Sequence, residues 1–306
     1  MKNSKTPILI LKVLLVMLTI PVSVSAQQQP QYSQFMFNNL VINPAYAGAD
    51  EALSLTMISR NQWTGVEGAP TTQSFAAHTL IPSKKIGLGL TVIHDKIGVH
   101  SNLSAQTNYA YHIRLKRNTT LSFGLQVGIT SLQSDYSSLA NGSNDPKLGS
   151  IDETVIDFGS GIFFRSPSLD LGVSAPQLLN TDVGVNDTLS APMQRMNIHG
   201  YGRYRIHLGD KFQLEPSALI KYFPETPLSF DVNVNLVYKQ VLTTGVSYRK
   251  NESLDLLLKF QLTHQLQVGY AYDYPLNTAA LLTNASHELM IHYVFRTLRK
   301  NIASPR

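Results

Sequence analysis

From Leu53 onward the chain falls into short stretches in which every second residue is apolar. Between Leu228 and Tyr238, Phe230, Val232, Val234, Leu236 and Tyr238 alternate with Asp231, Asn233 and Asn235. Between His264 and Tyr274, Leu266, Val268, Tyr270, Tyr272 and Tyr274 alternate with Gln265, Gln267, Gly269, Ala271 and Asp273. A period of two puts neighbouring side chains on opposite faces of an extended strand, so these segments build sheet with one apolar and one polar face. A soluble sandwich or propeller buries such an apolar face, whereas a transmembrane barrel turns it to lipid. No fixed-period repeat marks propeller blades.

The pattern predicts about 14 strands, at 54–60, 71–81, 86–94, 103–115, 119–132, 154–165, 168–175, 195–208, 211–222, 228–238, 241–250, 253–262, 264–274 and 286–296. Many reach the roughly 9–11 residues that a tilted strand needs to cross a bilayer. Connections of four residues or fewer (82–85, 116–118, 166–167, 209–210, 239–240, 263) alternate with longer ones (61–70, 95–102, 133–153, 176–194, 223–227, 275–285). The connection 251–252 is short where a long one is due. Outer-membrane barrels put short turns in the periplasm and long loops outside. Backbone in lipid must be fully paired, so a sheet facing lipid has to close. The expected fold is all-β: a transmembrane up-and-down antiparallel β-barrel of about 14 strands, with an N-terminal non-strand segment. An even strand number returns both termini to the periplasm. Tyr109, Tyr111, Tyr222, Tyr238, Tyr248 and Tyr274, near strand ends, suit interfacial girdles.

The start of the chain fits export. Lys2 and Lys5 precede the apolar run Ile8–Ile20, interrupted by Lys12 and Thr19, and Val24-Ser25-Ala26 ends in the small residue a signal peptidase needs. The expected organisation is a signal peptide at 1–26, a plug or periplasmic segment at 27–52, an outer-membrane barrel at 53–297 and a tail at 298–306. Lys2, Lys5 and Lys12 supply three of the five net positive charges, so the basic balance says little for nucleic acid. Cysteine is absent, which removes disulfides, a thiol nucleophile, Cys-zinc sites and a lipid-anchoring Cys. The charged fraction of 15% is below the roughly 25% of soluble domains, as suits a chain with lipid as one solvent.

Catalytic constellations are not apparent. The nine histidines are scattered, and His287-Glu288 points to opposite faces of a strand. There is no GxSxG elbow; Gly159-Ser160-Gly161 and the pair Gly87 and Gly89 read as structural small residues within strands. No catalytic residue, metal site or cofactor is expected. Arg114, Arg203, Arg205, Glu215, Lys221, Asp231, Asp255, Lys259, Asp273 and Glu288 mostly project into the lumen. They form either cross-strand pairs that fill it or a charged surface that selects solutes or holds a plug. The segment 27–52 lacks alternation; Phe35, Met36, Phe37 and Tyr46 imply that it packs in the barrel or against its periplasmic mouth.

Several motifs occur in a distinctive order. They are Tyr32-Ser33-Gln34-Phe35-Met36-Phe37-Asn38, Asn43-Pro44-Ala45-Tyr46-Ala47-Gly48, Arg60-Asn61-Gln62-Trp63-Thr64-Gly65 and Gly68-Ala69-Pro70-Thr71. Later come Gly87-Leu88-Gly89, Asp95-Lys96-Ile97-Gly98, Tyr109-Ala110-Tyr111, Asn144-Asp145-Pro146, Glu215-Pro216-Ser217 with Lys221-Tyr222, Gly245-Val246-Ser247-Tyr248-Arg249, Gly269-Tyr270-Ala271-Tyr272-Asp273-Tyr274 and Ser286-His287-Glu288. Together they resemble the PorP/SprF family of outer-membrane proteins associated with the type IX secretion system of the Bacteroidota. The chain departs at Asn39, where Pro is common, and at Ala285, where Gly often precedes Ser-His-Glu.

The resemblance implies a non-enzymatic envelope component that supports secretion or surface attachment of cargo such as gliding adhesins. Its partners would be a secreted protein with a type IX sorting domain, periplasmic or lipoprotein components of the machinery, and outer-membrane lipid. Cargo specificity is expected in the loops 133–153 and 176–194. The N-terminal segment and periplasmic turns would meet the machinery. The candidate partner-binding residues are Phe37, Asn38, Asn43, Pro44, Tyr46, Gly48, Arg60, Gln62, Trp63, Gly65, Gly68 and Pro70. The alternative is a passive outer-membrane porin or solute channel, which the same polar inner face would serve; a hydrolase has no motif behind it.

Overall fold

The computed structural model describes residues 30–135, 150–186, 189–224, 226–276 and 284–295. The signal peptide at 1–26, the motif Asn144-Asp145-Pro146 and the tail at 298–306 lie outside the described residues. The strands are β1 (Leu53–Asn61), β2 (Thr71–Ile81), β3 (Ile86–Ile97), β4 (His100–Lys116), β5 (Thr119–Asp135), β6 (Ser150–Arg165), β7 (Leu169–Gln177), β8 (Thr181–Asn186) and β9 (Leu189–Gln194). They continue as β10 (Asn197–Tyr204), β11 (Ile206–Leu208), β12 (Phe212–Tyr222), β13 (Ser229–Tyr238), β14 (Leu242–Arg249), β15 (Ser253–Gln261), β16 (Leu266–Pro275) and β17 (Ser286–Phe295).

Fourteen antiparallel staves close into a barrel. Each pairs with its neighbours along the chain, β7 with β10, and β10 with β12; β1 pairs with β17 from Leu53↔Phe295 to Asn61↔His287. This last pairing removes both edges, as a sheet in lipid requires. The alternation decides which face turns out. On β5, Phe123, Leu125, Val127 and Ile129 are exposed, while on β13 Asp231, Asn233 and Asn235 are buried between exposed Val232, Val234 and Leu236. Tyr111 and Tyr238 end up near the short-turn rim, and Tyr222, Tyr248 and Tyr274 near the long-loop rim, all exposed.

Three details differ from the expectation. The predicted loop 95–102 is sheet: β3 and β4 remain paired to Ile97↔His100 and turn through Gly98-Val99. With β5 paired to β6 as far as Asp135↔Ser150, these strands extend well past the length that lipid demands. Polar residues such as Asp95, Lys96, Ser101 and Asn102, with Gly98 between them, hide the strand signal there, because alternation fades where neither face meets lipid. The predicted strand 195–208 is interrupted at Arg205, between β10 and β11, where the Arg205 N–H donates to Ser168 O at 2.8 Å. The predicted loop 176–194 carries the separate hairpin β8–β9.

Residues 30–52 form no strand. They run through the lumen as three 3-10 turns, Phe35–Phe37, Asn39–Val41 and Pro44–Tyr46. Phe35, Met36, Ile42 and Ala45 pack there against inward-facing Ile58, Phe163, Tyr201, Leu219, Leu257 and Met290. The barrel's apolar core is therefore built jointly by its N-terminal segment and the inward-facing residues of the wall.

Candidate functional site: the lumenal segment and the outer rim

Three groups of contacts hold the segment. At the long-loop end, Ser33 and Gln34 present successive backbone N–H groups to Glu288 on β17, at 2.8 Å to Oε2 and 2.9 Å to Oε1. The Arg60 guanidinium on β1 donates to Ser33 Oγ at 2.7 Å and lies 3.2 Å from Glu288 Oε2. Ser33 Oγ donates in turn to Asp273 Oδ2 on β16, which also pairs with Arg60. The lock thus spans the seam between the first and last staves. Beside it, Arg249 donates to Tyr32 O at 3.2 Å and to Asp231, which Lys221 reaches at 2.8 Å. Opposed charges at this spacing let each buried ion satisfy another.

Midway, Asn43 caps the turn Pro44–Tyr46 by accepting from Ala45 N–H, and its Nδ2 donates to Ile162 O at 3.0 Å and Val173 O at 3.3 Å. The wall is cut back to admit these atoms. A Cβ at Gly161 would lie 2.2 Å from Asn43 Oδ1, one at Gly124 2.1 Å from Ala45 N, and one at Gly269 2.1 Å from Gln34 Oε1. Gly87 similarly faces Ala47, whose carbonyl accepts from His112 Nε2 at 2.8 Å. Lys259 stands 4.0 Å from the Phe37 ring centroid, a cation–π contact.

At the short-turn end, Asp50 accepts from Tyr46 Oη at 3.1 Å and Ser54 Oγ at 2.8 Å, and lies 3.7 Å from Arg165. His78 Nδ1 accepts from Gly48 N–H, which turns Nε2 toward the Asp50 carboxylate at 3.4 Å. Burial opposes ionisation of Asp50, but the His78 contact and the Arg165 charge outweigh it and hold the carboxyl well below the usual range.

The candidate residues therefore separate into two sets. Phe37, Asn38, Asn43, Pro44, Tyr46 and Gly48 lie inside the barrel, and Arg60, 2% exposed, belongs to the lock. Gln62, Trp63, Gly65 and Gly68 lie on the first outer loop, with Pro70 buried at its end. That loop is pinned to the start of β17: Trp63 N–H donates to Ser286 Oγ at 3.2 Å, and Thr64 N–H and Oγ1 both donate to Ala285 O. Gly98 N–H donates to Gly68 O at 2.9 Å, tying it to the β3–β4 turn as well. Trp63 lines a small cavity at the mouth together with Arg60, Glu252 and Asp273. Of the expected lumenal charges, Arg203, Arg205, Glu215, Lys221, Asp231, Asp273 and Glu288 form ion pairs, as the cross-strand reading requires. Arg114 sits at the rim, 63% exposed, 3.6 Å from Glu51. The lumenal role of Arg60 and Arg249 was missed, although both share parity with inward residues: Arg60 with Ser54 and Thr56, Arg249 with Ser247.

Among the described residues no group of three or more His, Asp or Glu side chains could hold a metal. The architecture is similar to that of the outer-membrane protein Omp33 of Acinetobacter baumannii, at TM-score 0.50 and 8% identity over 80% of this chain and 98% of that one. It is also similar to a FadL homologue of Pseudomonas aeruginosa, at TM-score 0.50 and 12% identity over 89% and 96% of the two chains. At such identities these likenesses establish the outer-membrane barrel fold alone. No curated protein matches the sequence. The family described as "Type IX secretion system membrane protein PorP/SprF" matches residues 24–293. The motifs that meet in the lumen, from Tyr32-Ser33-Gln34 to Ser286-His287-Glu288, lie within that match, and the chain belongs to this family of outer-membrane proteins.

Proposed function

We propose that this protein is a non-enzymatic partner-binding component of type IX secretion, exported by its N-terminal signal peptide. Its outer loops receive or hold a secreted cargo protein, and its short periplasmic turns contact the secretion machinery. The observation that carries this reading is the occupied lumen. The segment 30–52 is tied to the wall at both ends and in the middle, and apolar side chains fill the space between. A conduit for solutes needs that space, whereas a platform for proteins needs only its two rims.

The outer rim is suited to such a role. The β1–β2 loop is braced on two sides, and the paired extensions of β3 to β6 project beyond the bilayer. Rigid presentation lowers the ordering cost of binding a partner. Deleting the gene should deplete at least one type IX cargo from the cell surface, measured by surface proteomics. Normal levels of every cargo, with no paralogue compensating, refute the proposal. Planar-bilayer recording separates it from the porin alternative: steady current through the intact protein favours a channel, and silence favours the platform.

A further inference from the structure

We propose that the open edge of β6, in its extension at the long-loop rim, docks an extended basic segment of the secreted partner, which adds to the barrel sheet as one more strand. The inference rests on the reading that this rim receives a protein, and it names where and how that protein binds.

β6 pairs with β5 along its whole length, from Asp135↔Ser150 to Thr120↔Arg165. Its other neighbour, β7, pairs with it only from Ser160↔Ala175 to Arg165↔Asp170. Pro176, which has no N–H to give, stands where that pairing stops. The end of the ladder is then sealed. Leu178 N–H donates to Phe158 O at 2.9 Å, and the Asp157 carboxylate accepts from Phe158 N–H at 2.8 Å and Leu179 N–H at 3.1 Å. In an antiparallel sheet a residue's N–H and C=O point to the same side, and that side alternates along the strand. Since Phe158 points away from β5, so do Ile156, Thr154 and Asp152. Among the described residues none of these three has a backbone partner on that side. The hairpin β8–β9 nearby is a separate sheet. On the opposite flank of the extension β2 covers β3 as far as Thr71↔Lys96, so the opening is confined to β6.

An unpaired edge of this kind is complementary to extended backbone, whose donors and acceptors repeat at the same spacing. Charge selects which strand. From Ser150 to Gly159 β6 carries Asp152, Glu153 and Asp157 and no Lys or Arg. Asp157 is spent on the seal, while Asp152, Glu153 and Thr154 are exposed. Opposite charges across a strand pair attract and like charges repel. A second copy of β6 would set Asp152 and Glu153 against themselves, so the edge resists self-pairing and favours a strand bearing lysine or arginine.

The probe is a fluorescent peptide alternating lysine and valine, added to the full-length protein purified in detergent and followed by anisotropy, with hydrogen exchange locating the contact. Thr154→Pro removes an N–H on the open side alone and leaves the bonds to β5 in place. We expect saturable binding that slows exchange at Asp152, Thr154 and Ile156. It should weaken about tenfold in Thr154→Pro, as one lost hydrogen bond requires, and disappear when Asp152→Lys and Glu153→Lys are combined. A peptide alternating glutamate and valine should not bind. The mobility of the folded band without heating verifies that each variant still forms a barrel. Absence of binding, binding that Thr154→Pro leaves unchanged, edge amides already protected in the protein alone, or self-association through β6 each overturns the proposal. Surface proteomics separates it from the reading it rests on. If deleting the gene depletes a cargo and Thr154→Pro at native abundance does not, the docking strand fails and the reading stands; if deletion depletes no cargo although the peptide binds, the reading fails and takes the secreted partner with it.

Discussion

Replacing Glu288 by alanine removes the acceptor on which the outer end of the lumenal segment depends. Both carboxylate oxygens are used in the native structure, by Ser33 N–H at 2.8 Å and Gln34 N–H at 2.9 Å, with Arg60 at 3.2 Å. The residue is fully buried, so water cannot substitute without opening the barrel. Alanine strands two backbone donors, each costing about 1–3 kcal/mol. It also removes one of the two carboxylates beside Arg60, while Asp273 remains. Breaking a buried pair from one side costs about 3–5 kcal/mol, and we expect Glu288→Ala to fall in that range because the retained Asp273 limits the loss at Arg60. Urea unfolding of the detergent-purified protein, followed by the mobility of the folded band without heating, measures it. Arg60→Ala and the double variant complete a cycle, with a coupling of about 0.5–3 kcal/mol expected for groups in one network. A Glu288→Ala protein within about 0.5 kcal/mol of the native one would behave like an ordinary surface substitution and refute the lock.

Gly124→Ala should destabilise by about 1–3 kcal/mol, since its Cβ meets the Ala45 backbone, whereas a Cβ at Gly200 meets only Ile220 Cβ at 3.9 Å, an ordinary contact, and Gly200→Ala should unfold within about 0.5 kcal/mol of the native protein in the same urea assay. The Asp50 carboxyl, held below its usual range when folded, contributes stability that is fully present above its unfolded pKa of about 3.9 and is lost as pH falls through the lower folded value. The difference in urea midpoint between native protein and Asp50→Asn should therefore shrink as pH falls below about 4; a difference undiminished at about pH 2 would contradict the assignment. Leu125→Arg, on the exposed face of β5, should cost about 2–4 kcal/mol and reduce the folded band recovered from outer membranes, and unchanged recovery would argue against lipid at that face. Trp63→Ala should lower surface cargo without lowering barrel stability; equal loss of both would assign it a packing role.

The alternation of Val232, Val234 and Leu236 with Asp231, Asn233 and Asn235 was enough to determine strand, face and solvent, because a period of two is a local property of extended backbone. The spacing of short and long connections likewise determined the stave number. Sequence could not determine how far β3 and β4 extend, since beyond the bilayer no second solvent enforces the alternation. Nor could it locate the lock. Ser33, Arg60, Asp273 and Glu288 are separated by up to 255 residues and meet only because β1 pairs with β17. The glycines show the same division. Gly87, Gly124, Gly161 and Gly269 look like unrelated small residues in four strands, and only the closed barrel brings the N-terminal segment against them. Polar residues on an inner face carry no local mark of their partner; closure of the wall around the segment supplies it.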